Sequence, residues 1–206
     1  MRENPDYALA GPEAAKDLIR SHPWATMASA TSDGVVVSHY PFLLDETADG
    51  LVLLSHVGRP DERLHRLGES ELCVVFSGPS GYVSPSWYGL PTAVPTWNFA
   101  TVHAYGIPEI LSDEENLAVL ERLVDHFEDP LPNPFRMRST LENTAYAERI
   151  VHGTVGFRLR VTRFEGKDKM SQDKPTEVVD RIVAQLRAPG PYENPALAAR
   201  MDASRA

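Results

Sequence analysis

The stretch Trp24–Ser55, WATMASATSDGVVVSHYPFLLDETADGLVLLS, decides the fold. Trp24 to Thr31 reads as a strand, Ser32-Asp33-Gly34 as the turn that reverses it, and Val35 to Leu44 as its partner. A second polar turn, Asp45 to Gly50, leads into Leu51 to Ser55. Neither connection is long enough to cross over a sheet, so the three strands are predicted to be antiparallel neighbours. That is a meander, not a Rossmann unit.

On the N-terminal side, Gly11-Pro12-Glu13 opens a helix whose apolar stripe is Ala14, Ala15, Leu18 and Ile19, and which ends before Pro23. On the C-terminal side a short helix, Asp61 to Leu67, is predicted to carry Leu64 and Leu67 inward. Leu72 to Phe76 is a continuous apolar run, expected to be a strand buried on both faces. Gly78 to Pro95 has little periodicity and reads as irregular. Thr96 to Leu111 returns to strand character, and Ser112-Asp-Glu-Glu115 is a capping box for a helix over Glu114 to Phe127. Pro130 to Pro134 stops it. Thr140 to Ile150 reads as a further helix, and Thr154 to Phe164 as a strand in which Val155, Phe157, Leu159 and Val161 alternate with polar or small residues. Pro175 starts a last helix ending near Arg187. Residues 1–187 are expected to be one domain and 188–206 a loosely held tail. Six antiparallel strands with peripheral helices predict a mainly β fold, a small barrel closed to remove its edges.

Composition narrows the function. In 206 residues, 42% hydrophobic and 24% charged describe an ordinary globular chain. The single cysteine, Cys73, can form neither an internal disulfide nor a CxxC site. No run approaches the roughly 18 apolar residues of a membrane span, and the first residues lack the apolar core of a signal peptide, so no membrane association and a cytoplasmic location are expected. Twenty Lys and Arg against 29 Asp and Glu leave a net charge of −9, which repels polyphosphate and argues against direct DNA binding. P-loop, GxGxxG, HExxH and GxSxG motifs are absent. The seven histidines do not fall at metal-ligand spacing, so no metal site is expected. His103 reads as a satisfied strand histidine. No catalytic residue is nominated; His56 and His103 are the candidates for proton transfer.

Three segments could carry chemistry. Tyr82-Val-Ser-Pro-Ser-Trp-Tyr88 and Val94-Pro-Thr-Trp-Asn98 set Trp87 and Trp97 beside Ser84, Ser86, Thr96 and Asn98, flat apolar faces with short donors and acceptors, as a planar heteroaromatic ligand requires. Those tryptophans equally suit stapling an irregular loop to the barrel. Ser55-His-Val-Gly-Arg-Pro-Asp-Glu-Arg63 combines a helix start, a hydroxyl and Arg59, which suits a phosphate monoester. Its arginines equally suit a solvated helix face. Gly166-Lys-Asp-Lys-Met-Ser-Gln172 offers Lys169, Ser171 and Gln172 if that loop folds over a ligand, and ordinary surface charge if it does not.

Together these segments resemble the PaiB-type FMN-binding negative transcriptional regulators, a branch of the FMN-binding split-barrel superfamily. The resemblance runs from Pro5 through Leu186. It rests on Ser38-His-Tyr-Pro-Phe42, Phe76-Ser-Gly-Pro79, the two aromatic motifs above, Val102-His103 with Tyr105-Gly106, Gly153 to Phe157, and Lys169-Met-Ser-Gln172. It implies a six-stranded antiparallel split barrel, a homodimer, and FMN held where subunits meet. By this resemblance Ser55, His56 and Arg59, or Arg63 in place of Arg59, would take the flavin phosphate. Ser84, Ser86, Trp87, Thr96 and Trp97 would surround the ring or its ribityl chain. Asn98 would pair with a ring edge, and Lys169, Ser171 and Gln172 would reach across from the partner. The chain departs from the family in a shorter spacer at Gly58-Arg59-Pro60 and in Asp173 after Gln172. The expected function is therefore a dimeric flavin-binding regulator. The alternatives are a flavin-dependent reductase using a nicotinamide cofactor, a haem-handling relative, and an interaction domain without cofactor.

Overall fold

The computed structural model describes residues 1 and 4–205. In chain order it contains α1 (Gly11–Ser21), β1 (Trp24–Thr31), β2 (Gly34–Pro41), β3 (Leu43–Leu44), β4 (Val52–Gly58), α2 (Arg59–His65), β5 (Leu72–Val83), β6 (Thr96–Gly106) and β7 (Pro108–Ile110). There follow α3 (Asp113–Glu128), α4 (Leu141–Ile150), β8 (Thr154–Arg160), β9 (Arg163–Lys169), α5 (Thr176–Arg187) and α6 (Pro195–Ala203). One sheet has the order β2-β1-β5-β6-β9 and the other β3-β4-β8-β7. The expected meander is present: β1 pairs antiparallel with β2, from Trp24 opposite Pro41 to Thr31 opposite Gly34, and β3 with β4. The fold is mainly β with antiparallel sheets and peripheral helices.

Six strands were expected and nine occur among the described residues, because three of the six break once and change sheets. The strand over 35–44 breaks at Phe42 into β2 and β3. The strand over 96–111 breaks at Ile107 into β6 and β7. The strand beginning at Thr154 breaks at Val161 and Thr162 into β8 and β9. Strands that bend from one sheet into another form the corners of orthogonal β packing. A second departure lies in β5, which runs on through Gly78 to Val83, a stretch expected to be irregular. Its glycines are there for close packing: a Cβ at Gly81 would stand 2.9 Å from Leu197 Cδ2.

By compactness the chain divides into two units, where one domain was expected: Ile19–Phe76 with His103–Phe164, and Met1–Leu18 with Ser77–Val102 and Glu165–Ala206. In the first, the Phe42 ring is fully buried and meets Phe76 and Phe157 edge-on, each 5.8 Å between centroids. Leu43, Leu54 and Leu111 join Val119 and Leu123 of α3 in a second cluster. The capping box opens α3 as expected, with Glu115 N donating to Ser112 Oγ and Ser112 N donating to Glu115 Oε2.

Helix α2 turns a different face inward from the one expected. Leu64 is 58% exposed and His65 is buried in its place. The imidazole has two partners that a leucine lacks: Ser29 Oγ lies 2.7 Å from Nδ1 and Ser38 Oγ 3.0 Å from Nε2. Ser38 already donates to Asp61 Oδ2, so it accepts from Nε2–H, and Nδ1 accepts from Ser29. The neutral ring is thereby satisfied on both nitrogens, and burial lowers its pKa, the nearby Asp61 opposing this.

In the second unit, residues 188–206 are not a loose tail. Leu197, Ala198 and Met201 of α6 are fully buried, Asn194 N donates to Leu186 O, and Arg200 forks onto Asp168 at 2.8 and 3.1 Å. Asn194 caps α6 by accepting from Leu197 N.

Two outcomes follow from this packing. A Cβ at Gly106, just ahead of the Ile107 corner, would lie 2.5 Å from the carbonyl oxygen of Arg160. Gly106→Ala is expected to lower unfolding free energy by about 1–3 kcal/mol in a denaturant titration. His65 is lowered below its unfolded value, so between the two pKa values the unfolded chain binds more protons, and stability falls as pH drops below about 6.5. Thermal melts at pH 7, 6 and 5 should show that loss, and His65→Gln, which cannot titrate, should flatten the profile; an unchanged slope would refute the assignment to His65.

Candidate functional site

Two of the expected motifs converge in the second unit. Lys169, at the end of β9, donates to Thr96 Oγ1 and, at 3.1 Å, to the carbonyl of Trp97 at the start of β6. The ring of Tyr7 lies 5.8 Å from the ammonium. Partial burial lowers the Lys169 pKa, against the attraction of Asp173. Further along the same two segments, Asn98 and Ser171 are both buried and bonded twice to each other. Asn98 Nδ2 donates to Ser171 Oγ at 2.9 Å and Ser171 Oγ approaches Asn98 Oδ1 at 3.1 Å, while Met201 Sδ takes a further contact from Nδ2 at 3.5 Å.

This pair explains an unusual backbone. Ser171 has φ +65, a left-handed conformation that costs a non-glycine residue energy and persists only where its surroundings impose it. Gln172 closes the turn, its Oε1 accepting from Met170 N at 2.6 Å and its Nε2 donating to Asp168 O. Asn98, Ser171 and Gln172 are therefore spent on the turn that presents Lys169. Asn98 does not face outward for a ring edge, because its amide is consumed within the fold.

The aromatic loop is exposed in part. Ser84 caps a short turn of helix over Pro85–Trp87, with its Oγ 2.7 Å from Ser86 Oγ and accepting from Ser86 N. Ser86 is exposed, Ser84 and Trp87 half-buried, and Trp97 54% exposed. Tyr82 meets Trp97 edge-on at 6.4 Å. Tyr192 joins them, 5.4 Å from Tyr82 and 6.0 Å from Trp87. Tyr88 is buried with no hydrogen-bond partner for its hydroxyl, and burial raises its pKa. Tyr192 and Met201 lie in the stretch whose Pro-Gly-Pro composition predicts a loose tail. The signal was present: Asn194-Pro195 is a helix start, and Leu197, Ala198 and Met201 share one helical face.

The segment 55–63 lies in the first unit and departs from its expected role. Ser55 is fully buried and donates to Pro41 O at 2.7 Å, anchoring the strand end at the Phe42 corner. Arg59 donates to His152 O at 2.9 Å and stands 3.7 Å from Glu62 and 3.9 Å from Asp113. The first turn of α2 already carries Asp61 and Glu62, which occupy the attractive end of its dipole. Asp61 in turn receives Tyr40 at 2.6 Å and Ser38 at 3.1 Å. His56 Nδ1 is buried without a partner, and desolvation lowers the ring's pKa. Arg63 is exposed. The two carboxylates beside Arg59 and the burial of Ser55 make this segment a poor phosphate cradle. The aromatic loop with Lys169, by contrast, suits a flat ring. His103, expected to be satisfied within its strand, is half-buried. Among the described residues no group of acidic, histidine or cysteine side chains could hold a metal, and no helix is long and apolar enough to cross a membrane.

Replacing Asn98 by Ala strands the Ser171 hydroxyl in a buried, left-handed turn. We expect a loss of about 1–3 kcal/mol in denaturant unfolding, with Ser171→Gly partly restoring the double variant, since glycine needs no imposed φ. A double variant no more stable than Asn98→Ala would contradict this account of the turn.

Comparison with known proteins identifies the family. The family described as "Putative FMN-binding domain" matches residues 1–163. The protease synthase and sporulation protein PAI 2 of Bacillus subtilis is 26% identical over 183 residues, covering 88% of this chain and 86% of that protein. The uncharacterized protein YKL070W of Saccharomyces cerevisiae is 34% identical over 117 residues, 53% of this chain and 69% of that one. Among solved structures, the FAD and heme binding protein of Mycobacterium smegmatis superposes with a TM-score of 0.56 at 18% identity, covering 82% of this chain and 77% of that chain. The flavocytochrome Anf3 of Azotobacter vinelandii gives 0.58 at 16%, covering 82% and 72%. At such identities the structural likeness speaks for the fold alone. The match over residues 1–163 carries the assignment: the chain belongs to the FMN-binding domain family, with FMN as its cofactor.

Proposed function

We propose that this chain is a homodimeric flavoprotein whose flavin ring is held by the aromatic loop and the Lys169 turn, and that it serves the regulatory role implied by its resemblance to the PaiB-type regulators. The convergence of Thr96-Trp97-Asn98 with Lys169-Met-Ser171-Gln172 carries this reading. Two segments 73 residues apart are pinned by Asn98 and Ser171, so that the Lys169 amine reaches the backbone carbonyl of Trp97, a residue whose indole is half-exposed. When bound, FMN supplies one- or two-electron transfer. The chain's own residues supply position and field. Trp97 and Trp87 offer faces to a ring, Ser86 a hydroxyl to its polar substituents, and Lys169 an amine whose hydrogen-bond partners are neutral oxygens.

The net charge of −9 favours regulation through a protein partner over direct reading of DNA.

The purified protein is expected to be yellow, to release FMN on denaturation, and to sediment as a dimer. Lys169→Met should weaken FMN retention about tenfold, on the scale of one lost charge-assisted bond, with the melting temperature little changed. A colourless protein that ignores added FMN would end the flavin reading. A yellow monomer would end the dimer alone.

A further inference from the structure

The C-terminal segment, beyond the matched family residues, closes a groove against Tyr82 and Trp97, whose far wall of Leu186 and residues 191–194 the flavin reading does not use. Its cavity, about 360 Å³, is lined by Gly81, Tyr82, Trp97, Leu186 and the turn Pro191 to Asn194. That volume lies within the range of small-molecule sites.

The walls are fixed. Asn194 donates through N to Leu186 O at 2.7 Å and through Nδ2 to Ser80 O at 2.9 Å, and Glu193 N donates to Gly190 O. Gly81 lets Leu197 and Asn194 approach, since a Cβ there would stand 2.9 and 3.1 Å from them. The turn that carries Tyr192 and Glu193 is therefore closed by its own backbone and tied at Asn194 to Leu186 and Ser80.

The rings are inclined to one another rather than stacked flat. Tyr82 and Trp97 meet at 63°, Tyr82 and Tyr192 at 40°, and Trp97 and Tyr192 are each about half exposed beside the groove. Aromatic faces carry negative potential, and several faces inclined around one space attract a cation with an apolar surface. Glu193 is the one charged residue in the lining, with no lysine or arginine among its liners. The chain's net charge of −9 acts in the same direction.

We infer that Tyr82, Trp97, Tyr192 and Glu193 form a binding site for a small organic cation of the quaternary or methylated ammonium class. A free metabolite and a methylated side chain of a peptide share this chemistry. The site shares Trp97 with the flavin reading and rests in addition on Tyr192 and Glu193, which that reading does not use.

The test titrates the protein as purified, flavin content recorded, with choline and with its neutral isostere 3,3-dimethylbutan-1-ol. Calorimetry and tryptophan fluorescence provide the readouts. Choline should bind, and the isostere about tenfold more weakly or not at all, the scale of a cation–π contact. Tyr192→Ala should abolish binding, Tyr192→Phe should retain it, and Glu193→Gln should weaken it about fivefold. FMN content should be unchanged in Glu193→Gln, whose carboxylate the flavin reading does not use. A trimethyllysine peptide binding where choline also binds would identify a peptide source, and choline alone a free metabolite. Equal binding of cation and isostere, no binding of either, or wild-type affinity in Tyr192→Ala would overturn the inference.

Discussion

The fold depends on what happens at Phe42. There the chain leaves β2 in one sheet and enters β3 in the other, and the ring at the break is wholly buried between Phe76 and Phe157. A strand that bends away from its ladder loses hydrogen bonds at the bend, and buried groups must recover them. Phe42 N does so on Pro23 O at 2.8 Å, and Ser55 Oγ covers Pro41 O at 2.7 Å. Pro41 has no N–H to lose, which suits it to the last position before the turn. Truncating a buried aromatic of this kind costs about 3–5 kcal/mol in general, enough to matter against a total of 5–15. Ser55 thus belongs to the scaffold, in a segment whose composition also suits a phosphate.

The same division of labour recurs around Lys169. Of the residues that make the motif recognisable, Asn98, Ser171 and Gln172 are consumed by one another and by the backbone, and Lys169 with Trp97 is what they present. A left-handed serine is tolerable because its hydroxyl is bonded on the inside, to a side chain that is itself buried. Motif residues here do two things: some hold a shape, and others meet whatever binds it.

Electrostatics separates the two units' candidate segments. Arg59 faces Glu62 and Asp113, and Asp61 gathers Ser38 and Tyr40, so the start of α2 is neutralised from within. An anion arriving there would have to displace carboxylates already in place. Lys169, by contrast, has neutral oxygens as its hydrogen-bond partners, Thr96 Oγ1 and the Trp97 carbonyl, and stands over the ring of Tyr7. A cation held by neutral groups keeps its charge available to a ligand.

Local rules sufficed for much of this. The turn at Ser32-Asp33-Gly34, the capping box at Ser112 and the start of the helix near Pro175 follow from short-range chemistry, which neighbouring residues carry in full. The antiparallel class followed from connections too short to cross a sheet. Which strands break and change sheets could not be read, because a bend at Phe42, Ile107 or Val161 is imposed by what lies across the core and not by the residues beside it. His65 replaced Leu64 inside α2 for the same reason: hydropathy favours leucine, but Ser29 and Ser38, distant in sequence, supply two hydrogen bonds that only imidazole can use. The aromatic and lysine motifs were visible as residues, yet only tertiary structure decided that Asn98 and Ser171 look inward, that Arg59 is neutralised, and that Tyr192 stands beside Tyr82 and Trp87. Burial and pairing are properties of a neighbourhood assembled from distant parts of the chain, and a residue's type limits those partners without choosing them.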